Sequence, residues 1–206
     1  MTKDLFKSYL QKYNIPILEI KNAAHELHAS VNQTYGENLP YGYHLDLVAQ
    51  AVCDYGASIC ASEHDVLPII FGAFYHDSIE DARLTYNDVL RVAHKYMDKE
   101  QAFDAAEIVY ALTNEKGRNR AERASDVYYA GIRSTPYAPM IKLADRFANI
   151  SFSISGTDKD SDRMKNVYLK EMPHFINSLI SESTDIRFHL PSDMIQKIYK
   201  MLEDEK

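Results

Sequence analysis

Residues 66–77 read VLPIIFGAFYHD, an almost unbroken apolar run that stops on an imidazole and a carboxylate. The run is longer than an ordinary strand and favours a buried helix. Upstream, a helix is predicted over 43–61, with Leu47, Val48, Ala51, Val52 and Tyr55 on its apolar side. Residues 34–40 carry Gly36, Asn38 and Pro40 and read as a loop. Nearer the N-terminus, Leu5, Tyr9 and Leu10 open an amphipathic turn set. Pro16 suits a first turn, and Ile17, Ile20, Ala24, Leu27 and Val31 follow at helical spacing.

Downstream, Thr85 and Asp88 have the spacing of a capping box with Asp in place of Glu. Helices are predicted over 101–112, 122–132, 140–150, 163–180 and 191–202. Pro173 is expected to kink or break the fourth of these. Residues 151–162, rich in Ser, Gly and Asp, read as a linker. With no internal repeat, low-complexity tract or strand pair evident, the expectation is an all-α bundle of about eight to ten helices. It should form a single domain over 1–206, with C-terminal helices from about 160 to 204.

The chain has 206 residues, enough for a core without disulfides. Its net charge of −7 argues against a nucleic-acid polymer or an anionic membrane surface as partner. No apolar stretch approaches the length of a membrane span, and MTKDLFKSYLQKY lacks the apolar run of a secretory signal. A cytoplasmic protein is expected. Cys53 and Cys60 lie seven apart in a stretch read as helix, about 10 Å between Cα atoms and beyond disulfide reach, so reduced thiols are expected.

Three distant runs carry the chemistry: His44 in PYGYHLDLV, His76-Asp77 in FYHDSIED and Asp145 in IKLADRFAN. Two imidazoles and two carboxylates form a mixed nitrogen/oxygen set for one divalent cation, with Mn²⁺, Fe²⁺, Co²⁺ or Zn²⁺ fitting better than Ca²⁺. On a regular helix His76 and Asp77 would point about 100° apart, so a shared ion must lie at the helix end or in a groove. Glu80 and Asp81 follow His76 and Asp77 at helical i+4 spacing, which hangs two more carboxylates beside the ion for proton transfer. Lys142 and Asn149 share a face with Asp145; Lys142 suits either a phosphate or a carboxylate partner. Arg146 points elsewhere and reads as structural. Lys116, Arg118, Arg120 and Arg123 around Gly117 concentrate cations that could meet a pyrophosphate. Tyr41 and Tyr43, just ahead of His44, could wall a base.

The H…HD…D order in helical contexts resembles the HD-domain superfamily of metal-dependent phosphohydrolases. HDSIEDARLTYNDV and IKLADRFANI resemble the HDxxED and KLADRxxN runs of the Rel/Spo-type alarmone hydrolases, and GENLPYGYH is similar to their GEPYxxH run. The resemblance spans about residues 25–155 and implies an HD-type helical fold, a single Mn²⁺ and Asn149 as a contact to the nucleotide. It implies a small stand-alone enzyme that removes pyrophosphate from the ribose 3′ oxygen of guanosine tetra- or pentaphosphate. Two features depart from the pattern. Asn32-Gln33-Thr34-Tyr35 stands where the family carries a basic pair beside guanine, and Asn38 and Leu39 lengthen the next motif. Phe152 stands where the family has Thr. Hydrolysis of another nucleotide and a silent nucleotide-binding scaffold are the alternative functions. The C-terminal third either completes the core or mediates homodimerisation.

Overall fold

The computed structural model describes residues 1–114, 125–155 and 159–203. Six helices precede residue 115: α1 (Lys3–Lys12), α2 (Asn14–Ser30), α3 (Gly42–Tyr55), α4 (Val66–Tyr75), α5 (Tyr86–Ala93) and α6 (Lys99–Leu112). Four more follow: α7 (Asp126–Arg133), α8 (Ala138–Ser153), α9 (Lys159–Leu179) and α10 (Ser192–Glu203). The all-α expectation holds, and α4 is its axis. Every residue of α4 is buried, as an all-round apolar helix requires. It packs against α2, α3, α6 and α8. Gly72 makes the closest approach: a Cβ there would stand 2.7 Å from both Ile108 of α6 and Ile141 of α8. Buried side chains from all ten helices join in one apolar core.

Several boundaries differ from the sequence reading, each for a local reason. The first helix buries Phe6, while Leu5 faces outward. α3 ends at Tyr55 and tightens into a 3₁₀ turn at Gly56–Ser58. The expected 122–132 helix appears as α7, its first three positions lying outside the described residues. Pro173 sits inside a continuous α9. Losing a helical hydrogen bond there costs about 3 kcal/mol, but Met172, Phe175 and Leu179 are buried around it and hold the helix together. Ser151–Ser153, read as linker, complete the last turn of α8, and residues 159–162 already open α9.

Two differences shape the site. Residues 34–40 are not a plain loop. They form a short antiparallel hairpin, β1 (Thr34–Tyr35) against β2 (Leu39–Pro40), with Thr34 opposite Pro40 and Tyr35 opposite Leu39. Gly36 turns it at φ +60°, and its α-carbon face lies against the Phe152 ring. The second difference is that α4 stops at Tyr75, with His76 as its C-cap. From there Ser78 N donates to Tyr75 O at 2.9 Å and Asp81 N to Asp77 O at 2.8 Å. The polar HDSIED segment leaves the apolar shell as turns, and regular helix resumes only at the Thr85–Asp88 capping box, which forms with both of its bonds.

Candidate metal centre and active site

Three elements bring the chemistry together. His44 lies in the first turn of α3, His76 caps α4, and α8 carries Lys142, Asp145 and Asn149 at three- and four-residue spacing on one face. One ligand atom each from His44, His76 and Asp145 falls within 4.8 Å of the others. His44 Nε2 stands 3.3 Å from His76 Nε2 and 3.5 Å from Asp145 Oδ1. Asp77 stands at the edge of this group, its Oδ2 2.8 Å from His76 Nε2 and 3.8 Å from His44 Nε2. His76 and Asp77 thus stand at the end of α4, not along its length. Two imidazole nitrogens and carboxylate oxygens, buried and facing one another, are a donor set that fits a divalent transition metal. Nδ1 of His76 lies 2.9 Å from Ala73 O. That bond puts the proton on Nδ1 and turns Nε2 toward the cluster, the orientation a ligating histidine needs.

The charges are matched within the site. Burial pulls the His76 pKa down, but Asp77 and Asp145 outweigh it and raise the group to about 9. Burial likewise opposes ionisation of Asp77, and His76 overcomes it, holding the carboxyl at about 2. Asp145 is held well below the usual carboxylate range despite its burial, with Lys142 the largest favourable cause. Lys142 Nζ reaches Asp145 Oδ2 at 3.0 Å, and its pKa is raised against burial by that partner. Of the two roles open to Lys142, the carboxylate partner is the one observed. Asn149 Nδ2 donates to Asp145 Oδ1 at 2.6 Å, and Tyr35 OH donates to Asn149 Oδ1 at 3.0 Å. Asn149 thus spends both ends of its amide within the protein, on the Asp145 carboxylate and on the hairpin.

Glu80 and Asp81 stand on the turns that follow α4, not on the helical face that their spacing suggested. Each is exposed and held by an amide. Asn114 donates to Glu80 Oε2 from its backbone N (3.3 Å) and its Nδ2 (3.1 Å). Gln33 Nε2 donates to Asp81 Oδ2 at 2.6 Å. Tyr43 is 45% exposed, with its ring edge-on to Phe152 at 6.3 Å. Lys116, Arg118, Arg120 and Arg123 lie outside the described residues. Arg146, read as structural, pairs with Glu171 at 3.0 Å and stacks over Phe175 at 4.3 Å.

Sequence reasoning missed the partners of these groups. Tyr41, noted only as a stacking candidate, donates its hydroxyl to Asp77 Oδ2. Burial and then Asp77 raise its pKa, so it stays a donor. Tyr35 stacks on His44 at 4.8 Å and against Phe152 at 4.5 Å, covering one face of that imidazole. The contacts of His28, Gln33 and Asn114 carried no signal, because a lone His, Gln or Asn is common and only the fold shows what it faces.

Among the described residues, ten helices, a short hairpin and a His/His/Asp cluster at the end of a central apolar helix make up an all-α architecture. The chain is similar to a solved structure of a metazoan ortholog of SpoT, described as hydrolysing ppGpp and acting in starvation responses, with a TM-score of 0.60 at 16% identity. The likeness covers 92% of this chain and 96% of the other. No family model and no curated protein matches the chain.

Proposed function

We propose that the chain is a metal-dependent phosphohydrolase that removes the 3′-pyrophosphate of guanosine tetra- or pentaphosphate or a related alarmone. The observation that carries this reading is the meeting of His44, His76 and Asp145, with Asp77 alongside, in a fold shared with a ppGpp-hydrolysing protein. His44, His76, Asp77 and Asp145 would hold one divalent ion, Mn²⁺ by preference, with Fe²⁺, Co²⁺ or Zn²⁺ as alternatives. Such an ion supplies Lewis acidity at the phosphoryl oxygens and a water that ionises near neutral pH.

The remaining steps belong to side chains. Asp81 and Glu80 accept the proton of the attacking water and return one to the departing 3′ oxygen, a division of labour suited to two exposed carboxylates beside a cationic centre. Lys142 and Asn149 fix the Asp145 carboxylate, and Tyr41 fixes that of Asp77, so these oxygens keep one orientation through the reaction. Tyr43 is the exposed ring available to a base. The absence of any cation in Asn32-Gln33-Thr34-Tyr35 favours a second reading, in which the same machinery serves another nucleotide. Among the described residues no helix is long and apolar enough to cross a membrane, consistent with a small dissolved substrate.

A nucleotide panel with Mn²⁺, resolving released pyrophosphate from phosphate, tests both readings. Pyrophosphate release from guanosine 3′-pyrophosphates, lost in Asp77→Ala, is expected. Turnover confined to other nucleotides would move the assignment to the second reading. A wild-type protein that binds Mn²⁺ yet cleaves none of the panel would refute hydrolysis.

A further inference from the structure

We propose that His28 and Gln33 form a positioning pair that holds Asp81 in line for proton transfer; the proposal rests on the hydrolase reading above. Neither residue belongs to the His44, His76 and Asp145 cluster, and the sequence motifs involve Gln33 only as a position without the family's basic residue. The pair starts from the way α2 ends. Asn32 takes φ +56°, Asn32 N donates to Ala29 O at 3.0 Å and Gln33 N donates to His28 O at 3.2 Å. This left-handed cap closes the helix and brings residue 33 back over residue 28. His28 Nδ1 then lies 2.5 Å from Gln33 Oε1, while Gln33 Nε2 reaches Asp81 Oδ2 at 2.6 Å.

Donor chemistry fixes the direction of this chain. An ionised carboxylate only accepts, so the Gln33 amide must turn its NH₂ to Asp81 and its carbonyl to His28. The proton of His28 must therefore sit on Nδ1. That leaves Nε2 as a bare lone pair, and it is buried with no hydrogen-bond partner among the described residues. An unmet buried acceptor costs stability, and an apolar side chain would fill the space without that cost. What the imidazole adds is direction: one fixed donor that prevents the Gln33 amide from flipping. Burial lowers the His28 pKa and keeps the ring neutral.

The other face of the same ring does related work. His28 stacks on Tyr41 at 4.7 Å and 23°, and Tyr41 donates to Asp77. One buried ring, fully enclosed, thus sets the amide that grips Asp81 and backs the phenol that grips Asp77. Asp81 is otherwise an exposed side chain on a turn, where an unheld carboxylate would sample several rotamers. Without the pair, its in-line orientation would be an occasional state.

The experiment uses the full chain loaded with Mn²⁺ and the panel nucleotide that the wild type cleaves best. Gln33→Met preserves length and removes both bonds; His28→Phe preserves the stack on Tyr41 and removes the donor. Each is expected to lower kcat by roughly 10- to 100-fold, the range for lost supporting hydrogen bonds, with KM and metal content within about twofold of wild type. In an Asp81→Asn background the Gln33→Met loss should vanish, because the pair acts only through that carboxylate. Nitrogen NMR should find the His28 proton on Nδ1 in the wild type. Undiminished kcat in Gln33→Met, an equal loss in the Asp81→Asn background, or a proton on Nε2 would overturn the pair while leaving hydrolysis intact. A wild type that holds Mn²⁺ and cleaves no nucleotide would overturn hydrolysis and the pair together.

Discussion

Asp145 shows how much one carboxylate is asked to do. Its Oδ2 meets Lys142 and its Oδ1 meets Asn149 and His44, so both oxygens are committed before any ion arrives. A buried ion pair adds little net stability, yet removing one partner leaves the other's charge uncompensated. Lys142→Met should therefore lower unfolding stability by about 3 kcal/mol, the low end of that penalty, since Asn149 and the charged His76 still serve the carboxylate. Asp145→Asn added to Lys142→Met should recover most of the loss. Urea unfolding of the metal-free proteins measures both. A double variant no more stable than Lys142→Met would show that the lysine stem, and not its charge, was at stake.

Elements place these residues, and the closeness of helices depends on small side chains. At Gly72 an added Cβ would meet Cγ2 of Ile108, a β-branched group that cannot swing aside, and Cδ1 of Ile141. Gly131 in α7 has nothing within 4 Å of that position. The same substitution should act in opposite directions. Gly131→Ala should stabilise by about 0.5–1 kcal/mol through helix propensity. Gly72→Ala should destabilise, because overpacking of about 1–3 kcal/mol exceeds that gain. Thermal unfolding decides it, and two melting shifts of the same sign would contradict the packing account. Helical spacing made most of these elements legible, since periodicity reports burial directly. The run at 66–77 located the central helix, and the spacing of Asp145 with Lys142 and Asn149 located a shared face. What escaped was set by tertiary contact. The hairpin at 34–40 has only two pairs of facing residues and leaves no alternating pattern. The end of α4 depends on where the surrounding apolar shell stops, so the helical face read for Glu80 and Asp81 is replaced by turns. His28 and Gln33 are linked by a left-handed cap that a sequence pattern does not reveal.

For the molecule as a whole, the His44, His76 and Asp145 cluster ties α3, the end of α4 and α8 together, so an ion held there would contribute to folding. In the metal-free chain His76 is a proton carrier, raised from 6.5 to about 9. Its pairing contributes fully below 6.5 and is lost as pH rises through about 9. Asp77, lowered from 3.8 to about 2, contributes fully above 3.8 and loses its share as pH falls through about 2. The metal-free protein should therefore gain most from this pair between those two reference values and weaken in mild alkali. A cation needs the nitrogen that holds the His76 proton, so its affinity should rise about tenfold per pH unit until that proton is gone. Binding to the folded state alone at about 100 times Kd adds about 2.7 kcal/mol, or about 5–10 °C in melting temperature for a chain of this size. At a fixed, low Mn²⁺ concentration the melting shift should accordingly grow from pH 6 to pH 9 and shrink in Asp145→Asn. A shift that is largest at pH 6, or that survives Asp145→Asn unchanged, would place the cation somewhere other than between these helices.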